Sequence, residues 1–471
     1  MTLVLGGILV YVLGQLAVGL VVSRRIATED DYLVAGRRLG PLLAAGSIFA
    51  TWFGAETCVA AAGRAHDEGL GRDTVEPFAY GVCLLVGGLV FAAPLWRARV
   101  TTLADLLRRR FGPGVERLAA VLLIPTSVLW AAAQVRAFGE VLASSSSLGI
   151  DVAIALAAVI AIVYTVAGGL LADVYTDLVQ AVALVLGLLV VFVAVVADAG
   201  GAGEAVALVD AARALHASRA PVGWLATVEA WAIPICGSVL AQEVVSRSLA
   251  ARSAGVARGA MLWGGAAYLL VGLVPVTLGL MSVTLLPDTD SEQVLPRLAR
   301  LHLTDLGYVV FAGALVSAIL STVDSALLVA AAFLSRNLLL AGRTDVPERR
   351  RLLVARAGVV AFGALAWGLA LSAEGVFALV EQASGFGSAG ILVVACAALF
   401  SRRGGPTAAT LALLAGIVAW IVGAYLVEQA RAPYLVSLLC AIGGYLVGAV
   451  LDARRPPPRA SLRSTTPRPC S

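Results

Sequence analysis

Residues 42–63 read LLAAGSIFATWFGAETCVAAAG, and this stretch decides how the rest of the chain is interpreted. It is long and apolar enough to cross the hydrocarbon core of a bilayer, which takes about 20 residues. Gly54 and Glu56 nevertheless lie near its middle. In hydrocarbon, a helix break or a buried charge needs a reason, because each costs on the order of several kcal/mol. The stretch therefore predicts a membrane helix that is interrupted halfway.

A second stretch of the same kind, WLATVEAWAIPICGSVLAQEVV, covers residues 224–245 and carries Pro234 and Gly237 near its middle. The two stretches start five apolar runs apart, so each begins a block of five. Interrupted helices at matching positions of two halves indicate an inverted-repeat secondary transporter with its site at the membrane midplane. The alternative is that Gly and Pro are common in membrane helices and that Gly54 only permits close packing.

The composition agrees with a chain built for a membrane. Of 471 residues, 60% are hydrophobic and 14% are charged, and the mean hydropathy is +0.93. This excludes a soluble multidomain enzyme and a disordered chain. We therefore predict an all-α membrane protein of about 13 transmembrane helices. The thirteen apolar runs lie at 3–22, 39–62, 75–95, 117–144, 150–167, 172–198, 224–246, 256–283, 306–335, 352–372, 376–400, 407–427 and 433–452.

The arginines predict the orientation, because basic residues accumulate on cytoplasmic connectors. With the N-terminus outside, the inside connectors and the tail hold 26 arginines and the outside connectors hold seven, while Arg136 falls inside a run. The first run has no basic segment before it, so we interpret it as a retained helix and not as a secretory signal. We expect an outside N-terminus, a cytoplasmic C-terminus and a disordered, Arg- and Pro-rich cytoplasmic tail at 453–471.

The ninth run, FAGALVSAILSTVDSALLVAAAFLSRN at 311–337, carries hydroxyl groups at membrane depth. Ser321 and Thr322 come one helical turn after Ala318, so two hydroxyls and one carbonyl can point at the same place. A partly dehydrated Na⁺ needs several hard oxygen ligands. The alternative is that both hydroxyls bond back to their own helix.

Two acidic residues lie at or near membrane depth. Asp177 occurs in GGLLADVYTDLVQ at 168–180, and Asp324 lies close to the serine of the ninth run. Both are candidates for a sodium path, for gating or for ion pairing. Asp173 and Arg136 are weaker candidates, because both fit an interfacial position as well.

These motifs, in this order and with thirteen runs, resemble the sodium/solute symporter family from about residue 1 to 452. The resemblance implies a LeuT-like core of two inverted five-helix units. It also implies a sodium site whose backbone carbonyls match Ala50 and Phe53 at the first break. The ligands from the eighth core helix match Ala318, Ser321 and Thr322, and the acid near the inner sodium path matches Asp177.

Within that family the likeness is greatest to the high-affinity choline transporter branch. It is carried by ATW at 50–52, PFAY at 77–80, IPTSVLWAAA at 124–133 and the STVDS and SRN segments of the ninth run. The resemblance implies an aromatic cage for a cation, with three of its positions matched by Trp52, Tyr80 and Trp130. Membrane-interface placement or ordinary packing of these rings is the alternative.

The chain also departs from that branch. Ala241 stands where the resemblance predicts a further aromatic residue, and Glu56 stands where the branch has glycine. Glu56 and Glu381 are candidates to pair with a substrate amine. Choline, another amine, an amino acid and a different small solute therefore all stay open.

We expect a Na⁺-coupled symporter that imports a small organic solute by alternating access. Na⁺ is the expected coupling ion, no organic cofactor is expected, and the expected partners are the solute and the lipid bilayer and not nucleic acid. A bacterial inner membrane is the expected location. The alternative is a membrane sensor with a symporter-like core, which the short basic tail disfavours. The sequence shows no nucleophile placed beside a general base and no cluster of metal ligands, so we do not expect an enzyme.

The predicted organisation has six parts. They are an N-terminal extra helix and loop at 1–38, a first five-helix repeat at 39–198, an extracellular connector at 199–223, a second five-helix repeat at 224–400, two C-terminal helices at 401–452 and the tail at 453–471.

Overall fold

The structure is a computed structural model that describes most of the chain from residue 37 onward. Described are residues 6, 7, 10, 13, 14, 17, 37–54, 56–167, 170–220, 222–343, 345–427 and 431–454, without the side chains at 56 and 167–175. The predicted helix at 3–22 and the predicted tail lie almost entirely outside these residues, and both stay predictions.

The described residues form nineteen α-helices, nine of which precede residue 220. These nine are α1 (Pro41–Trp52), α2 (Ala61–Glu68), α3 (Phe78–Val86), α4 (Ala92–Ala98), α5 (Leu103–Phe111), α6 (Pro113–Ser144), α7 (Ile150–Ala167), α8 (Leu170–Asp198) and α9 (Ala202–His216). A π-helical turn, Glu56–Ala60, leads into α2, and another, Gly87–Phe91, joins α3 to α4.

The remaining helices follow residue 223. They are α10 (Trp224–Ala232), α11 (Gln242–Ala250), α12 (Ala254–Leu285), α13 (Val294–His302), α14 (Asp305–Ala332), α15 (Glu348–Ser372), α16 (Val376–Gly385), α17 (Ser388–Phe400), α18 (Pro406–Ile421) and α19 (Pro433–Arg454). π-Helical turns extend α10 over Ile233–Gly237, α14 over Phe333–Leu339 and α18 over Val422–Leu426.

Side-chain caps explain where several of these helices begin. The Thr102 hydroxyl accepts a hydrogen bond from the Asp105 amide at 3.1 Å, and the Asp105 carboxylate accepts one from the Thr102 amide at 3.2 Å. This reciprocal capping box satisfies two backbone donors that the first turn of α5 would otherwise leave unpaired. Ser253 and Thr304 cap α12 and α14 in the simpler one-way manner.

The all-α membrane fold is confirmed, but the number of thirteen spans is not. By length and composition, the described residues contain eight helices able to cross a membrane, or up to eleven if three bent pairs each count as one span. The run predicted at 150–167 forms a shorter apolar helix, and the run at 3–22 lies outside the described part.

Both predicted helix interruptions are confirmed. The axis bends by 61° between α1 and the segment Thr57–Glu68, and by 43° between Trp224–Gly237 and α11. At the first break the chain leaves the helix at Phe53, whose backbone angles are φ −85° and ψ 67°. Gly54 follows, so no side chain crowds the turn.

A third bent pair was not predicted. The run at 376–400 consists of α16 and α17, which bend by 41° around Phe386 and Gly387. Gly387 has a φ of 68°, which favours glycine. The segment SGFGS at 384–388 marks the bend in the sequence, but glycine and serine are also common in continuous membrane helices, so the interruption was not predicted.

The ends of the two broken helices lie beside each other. The Leu39 amide donates to the Ala250 carbonyl at 3.1 Å, and the Arg252 amide donates to the Leu39 carbonyl at 3.0 Å. The start of α1 and the end of α11 are therefore joined by a short backbone bridge. α12 packs along both halves of the first broken helix, since a Cβ on Gly264 would lie 3.1 Å from Ile48 and one on Gly279 would lie 2.2 Å from the Ala62 carbonyl.

Connectors that were predicted to share a side of the membrane do meet. An Arg110 terminal nitrogen donates to the Arg402 carbonyl at 2.8 Å, and Arg336 lies 3.5 Å from the Asp105 carboxylate. We call the surface formed by the connectors 99–112, 340–347 and 401–405 the arginine-rich face. That this face is the cytoplasmic one stays a prediction.

Candidate ion and solute site

The hydroxyl-bearing helix α14 meets the first helix break. The Thr322 hydroxyl oxygen lies 3.1 Å from the Thr51 carbonyl oxygen of α1 and 3.2 Å from the Ala318 carbonyl oxygen of its own helix. Ser321 and Thr322 are almost completely buried, with 0% and 4% of their surface exposed. The structure therefore brings together oxygens from two helices, although the residue in contact from α1 is Thr51, which lies between the predicted Ala50 and Phe53.

The break explains why carbonyl oxygens are available there. The last carbonyls of a helix have no intrahelical donor, and α1 ends at Trp52. The Phe53 amide still donates to the Phe49 carbonyl at 2.7 Å. Beyond that bond the Thr51 carbonyl lies at the open end of the helix, 3.1 Å from the Thr322 hydroxyl. Carbonyl and hydroxyl oxygens are the hard ligands that an alkali cation takes in place of water.

Asp177 is tied directly to this cluster. The Ser321 hydroxyl donates a short hydrogen bond to one Asp177 carboxylate oxygen, and the Ser47 hydroxyl donates to the other at 2.6 Å. Since Ser321 uses its proton on Asp177, the lone pairs of its oxygen stay available as acceptors. Ser321 therefore links Asp177 to the candidate cation site, and the predicted role of Asp177 in the sodium path or in gating stays a prediction.

Arg247 neutralises Asp177, and sequence reasoning missed it. Its guanidinium lies 3.2 Å from the Asp177 carboxylate, and the two side chains are 1% and 0% exposed. It also donates to Ser47 at 2.9 Å and to Ser325 at 2.8 Å. The ion pair with its three serines thus joins α1, α8, α11 and α14 behind the candidate cation site.

The 26 arginines assigned to the inside connectors and the tail include Arg247, because the predicted run ends at residue 246, and this assignment is wrong. Arg247 lies inside α11 and is fully buried. The available signal was the buried acid, because a carboxylate at membrane depth needs a cationic partner. Arg247 follows directly on the second broken run, as a continuation of that helix.

Asp324 is also buried on α14, with 1% of its surface exposed. Among the described residues, its Oδ1 atom has no hydrogen-bond partner. Its predicted role in the sodium path or in gating stays a prediction.

The three aromatic residues singled out in the sequence form one cluster. The ring of Trp52 lies 5.6 Å from that of Trp130 and 6.3 Å from that of Tyr80, and the rings of Tyr80 and Trp130 are 6.2 Å apart, measured between centroids. Each of the three residues is at most 4% exposed. Trp52 is the last residue of α1, so the aromatic cluster begins one residue after the Thr51 carbonyl.

A chain of hydroxyl groups connects this aromatic cluster to the other two helix breaks. The Tyr80 hydroxyl lies 2.9 Å from the Ser384 hydroxyl, which also accepts a hydrogen bond from Ser238 at 2.9 Å. Ser238 lies in the second break, and Ser384 lies just before the third. Sequence reasoning missed both serines. The signal in the sequence was their position beside Gly237 and Gly385 within predicted membrane helices.

A cavity of about 220 Å³ reaches Tyr80 and the second break. Glu381 lies on its wall, and its pairing with a substrate amine stays a prediction. The side chain of Glu56 lies outside the described part of the chain. Arg64 lies on the same wall, 4.2 Å above the Phe377 ring. The lining residues are Arg64, Asp73, Val75, Tyr80, Val222, Ala226, Ala230, Ile233, Pro234, Phe377 and Glu381.

Related sequences include transporters of two kinds. The chain is 26% identical over 382 residues to a high-affinity choline transporter of Drosophila melanogaster and 26% identical over 386 residues to that of Homo sapiens. These matches cover 76% and 74% of this chain but 59% and 63% of the relatives, so the chain spans about three fifths of their length. A sodium/proline symporter of Escherichia coli strain K12 is 24% identical over 442 residues, which cover 87% of this chain and 86% of the relative.

Solved structures share the fold. A Na⁺-coupled sialic acid symporter in a substrate-bound outward-open state superimposes with a TM-score of 0.81 at 16% identity, over 96% of this chain and 98% of the symporter. A nucleobase-cation-symport-1 family transporter gives 0.59 at 14% identity, over 91% and 95%. The sequence model of the Sodium:solute symporter family matches residues 32–416, most of the chain. The chain therefore belongs to the sodium:solute symporter family.

Proposed function

We propose that the protein is a Na⁺-coupled secondary active symporter that moves a small organic solute by alternating access. The observation that carries this proposal is the approach of Thr322 to the open end of α1, 3.1 Å from the Thr51 carbonyl. In the proposed site Na⁺ binds between α1 and α14. Its ligands are the carbonyls of Ala50, Phe53 and Ala318 and the hydroxyls of Ser321 and Thr322.

Ion and solute share one short segment in this proposal. Thr51 contacts the ion-binding helix, and the adjacent Trp52 belongs to the aromatic cluster. Na⁺ that binds at the end of α1 therefore also holds Trp52 in the solute site, and a solute that contacts Trp52 holds the Thr51 carbonyl in the ion site. Such coupling is reciprocal, so the solute tightens Na⁺ binding by the factor by which Na⁺ tightens solute binding.

The driving force is adequate for accumulation. One Na⁺ crossing a potential of about 100 mV releases roughly 2.3 kcal/mol. A tenfold Na⁺ gradient adds about 1.4 kcal/mol. Since each 1.4 kcal/mol or so is a factor of ten, the sum sustains a solute ratio of several hundredfold.

The solute class follows from the walls of the proposed site. In the cavity beside the aromatic cluster, the Tyr80 ring, the Phe377 ring and the Glu381 carboxylate favour a solute with a cationic amine, because a desolvated cation over an aromatic face gains about 2 kcal/mol. The Arg64 guanidinium on the same wall favours an anionic group beside that amine. Ala241 supplies no fourth aromatic ring, so choline is not preferred over another amine or an amino acid. The names of the relatives, choline and proline transporters, are consistent with this range.

The proposal includes the orientation of the chain in the membrane. We place the arginine-rich face in the cytoplasm, with the N-terminus outside and the C-terminus inside a bacterial inner membrane, because basic connectors are retained there. Two repeats, at 39–198 and 224–400, then begin with the two predicted breaks, and the connector at 199–223 lies outside with the helix α9 within it. The C-terminal helices at 401–452 belong to neither repeat, although they pack on the second one, where Glu229 accepts backbone hydrogen bonds from the start of α19.

The experiment is uptake into proteoliposomes, preceded by a ligand screen. The purified protein is first melted with amines, amino acids, sugars and carboxylates, in Na⁺ and in K⁺, to find a solute that stabilises it only in Na⁺. Uptake of that radiolabelled solute is then measured with and without an inward Na⁺ gradient. We expect accumulation that collapses when Na⁺ is replaced by K⁺. Accumulation that is unaffected by this replacement would reject symport with Na⁺.

A further inference from the structure

A second polar cavity lies on the arginine-rich face, away from the candidate ion and solute site. It has a volume of about 250 Å³, and its walls are formed by one side of α5, the start of α6, the π-helical end of α14, the loop after it and the start of α15. We call it the arginine pocket. Its lining residues are Asp105, Arg108, Glu116, Ser335, Arg336, Leu340, Gly342, Arg343 and Arg351.

The two carboxylates of the arginine pocket are already engaged. Glu116 accepts a hydrogen bond from the Asn337 amide at 2.8 Å and lies 3.3 Å from the Arg108 guanidinium. Asp105 caps α5 and lies 3.5 Å from the Arg336 guanidinium. The charges of Arg108 and Arg336 are therefore balanced inside the pocket, one arginine for each acid.

The other two arginines of the lining are in excess over its acids. Arg351 donates to the carbonyl oxygens of Val346 at 3.3 Å and Arg343 at 2.9 Å. These bonds hold the guanidinium at the pocket wall. The Arg343 side chain is exposed. Four arginines against two carboxylates leave the lining with a formal charge of +2.

We propose that the arginine pocket binds a phosphate group. Guanidinium is the cation best matched to phosphate, because its planar fork donates two parallel hydrogen bonds to one anion. The pocket is formed by the ends of membrane helices, which is the depth at which phospholipid headgroups lie, and basic pockets between membrane helices bind anionic headgroups. A soluble phosphate offers the same chemistry, so the experiment separates these two sources.

The test compares the full-length protein with two matched double variants. Arg343→Gln with Arg351→Gln removes the surplus charge of the pocket. Arg349→Gln with Arg350→Gln removes the same charge from exposed positions of the same helix turn that do not line the cavity. Retention of phosphatidylglycerol against phosphatidylcholine is measured by native mass spectrometry. Stabilisation by inorganic phosphate against chloride is measured by thermal melting at equal ionic strength.

We expect the wild type and the Arg349–Arg350 variant to show the same preference for phosphatidylglycerol over phosphatidylcholine, or for phosphate over chloride. We expect the Arg343–Arg351 variant to bind the preferred anion about tenfold or more weakly, since two charged hydrogen-bond donors are lost. A response to phosphatidylglycerol alone identifies a lipid site, and a response to inorganic phosphate identifies a soluble ligand. Equal loss in both double variants, or no preference for either anion in the wild type, overturns the proposal. If the Arg343–Arg351 variant does not fold, the single change Arg343→Gln decides, because it leaves the Arg351 bonds to the loop intact.

Discussion

The buried pair of Asp177 and Arg247 gives the most demanding prediction, through the substitution Asp177→Asn. The carboxylate accepts hydrogen bonds from Ser321 and Ser47 and is paired with Arg247, and both members of the ion pair are at most 1% exposed. The amide has nearly the same shape but no charge. The substitution therefore removes an electrostatic partner with little change in packing.

Two effects of different size follow from the contacts. The buried Arg247 charge loses its partner, which costs about 3–5 kcal/mol of stability when one member of a buried pair is removed. Ser321 then donates to a neutral oxygen in place of a charged one, a difference of about 1–1.5 kcal/mol per hydrogen bond. We expect this second effect alone to weaken Na⁺ binding by about tenfold, and the unpaired Arg247 charge to weaken it further.

The assay is the melting temperature as a function of Na⁺, with K⁺ replacing Na⁺ at constant ionic strength. A ligand that binds only the folded state stabilises it according to its concentration relative to its Kd, so one titration reports both stability and Na⁺ affinity. The double variant Asp177→Asn with Arg247→Gln serves as the control. It lacks the unpaired charge, so we expect it to melt higher than Asp177→Asn while still binding Na⁺ more weakly than the wild type. A wild-type Na⁺ response in Asp177→Asn would refute the reasoning.

Three further substitutions test other contacts. Gly237→Ala places a Cβ 2.1 Å from the Ser384 carbonyl and should lower the stability by about 1–3 kcal/mol through overpacking. The control Gly443→Ala has open space around it and should melt like the wild type. Equal melting temperatures of the two variants would contradict the packing at the second break. Trp52→Phe should weaken binding of the solute found in the screen by several-fold, because phenyl is a poorer partner for a cation than indole, and an unchanged solute Kd would remove the aromatic cluster from the site. Glu229 accepts backbone hydrogen bonds from the first turn of α19 at 2.5 and 2.9 Å. Glu229→Gln should therefore lower the stability by about 1 kcal/mol and leave the Na⁺ dependence of the melting temperature unchanged. A changed Na⁺ dependence would contradict this and show that α19 acts on the ion site.

The parts of the site that the sequence predicts are those that conflict with a lipid environment. Gly54 interrupts an apolar run, and the structure has a 61° bend there. Ser321 and Thr322 put hydroxyls at membrane depth, and the structure buries both against other helices. In a chain this apolar, each glycine break or polar side chain within a membrane helix needs a partner or a structural reason. Single residues of these kinds therefore predict structure.

The parts that the sequence does not predict depend on contacts between distant segments. Arg247 is indistinguishable from a connector arginine until α11 is seen to pack against α8, where Asp177 lies 70 residues away in the chain. The hydroxyl contact between Ser238 and Ser384 spans 146 residues. The bend around Phe386 and Gly387 lies in a run whose glycines fit a continuous membrane helix equally well. Composition and periodicity contain no information on such pairings.

The central claim, that α1 and α14 together hold Na⁺, is tested most directly by the binding of radioactive Na⁺ to the purified protein. The test variant is Ser321→Ala with Thr322→Ala. The control is Ser317→Ala, which removes a buried hydroxyl one turn earlier on the same helix, whose oxygen has no hydrogen-bond partner among the described residues. We predict saturable binding, displaced by Na⁺ and not by K⁺, in the wild type and in Ser317→Ala, and its loss in the double variant. Binding of Na⁺ by the double variant with wild-type affinity would contradict the account.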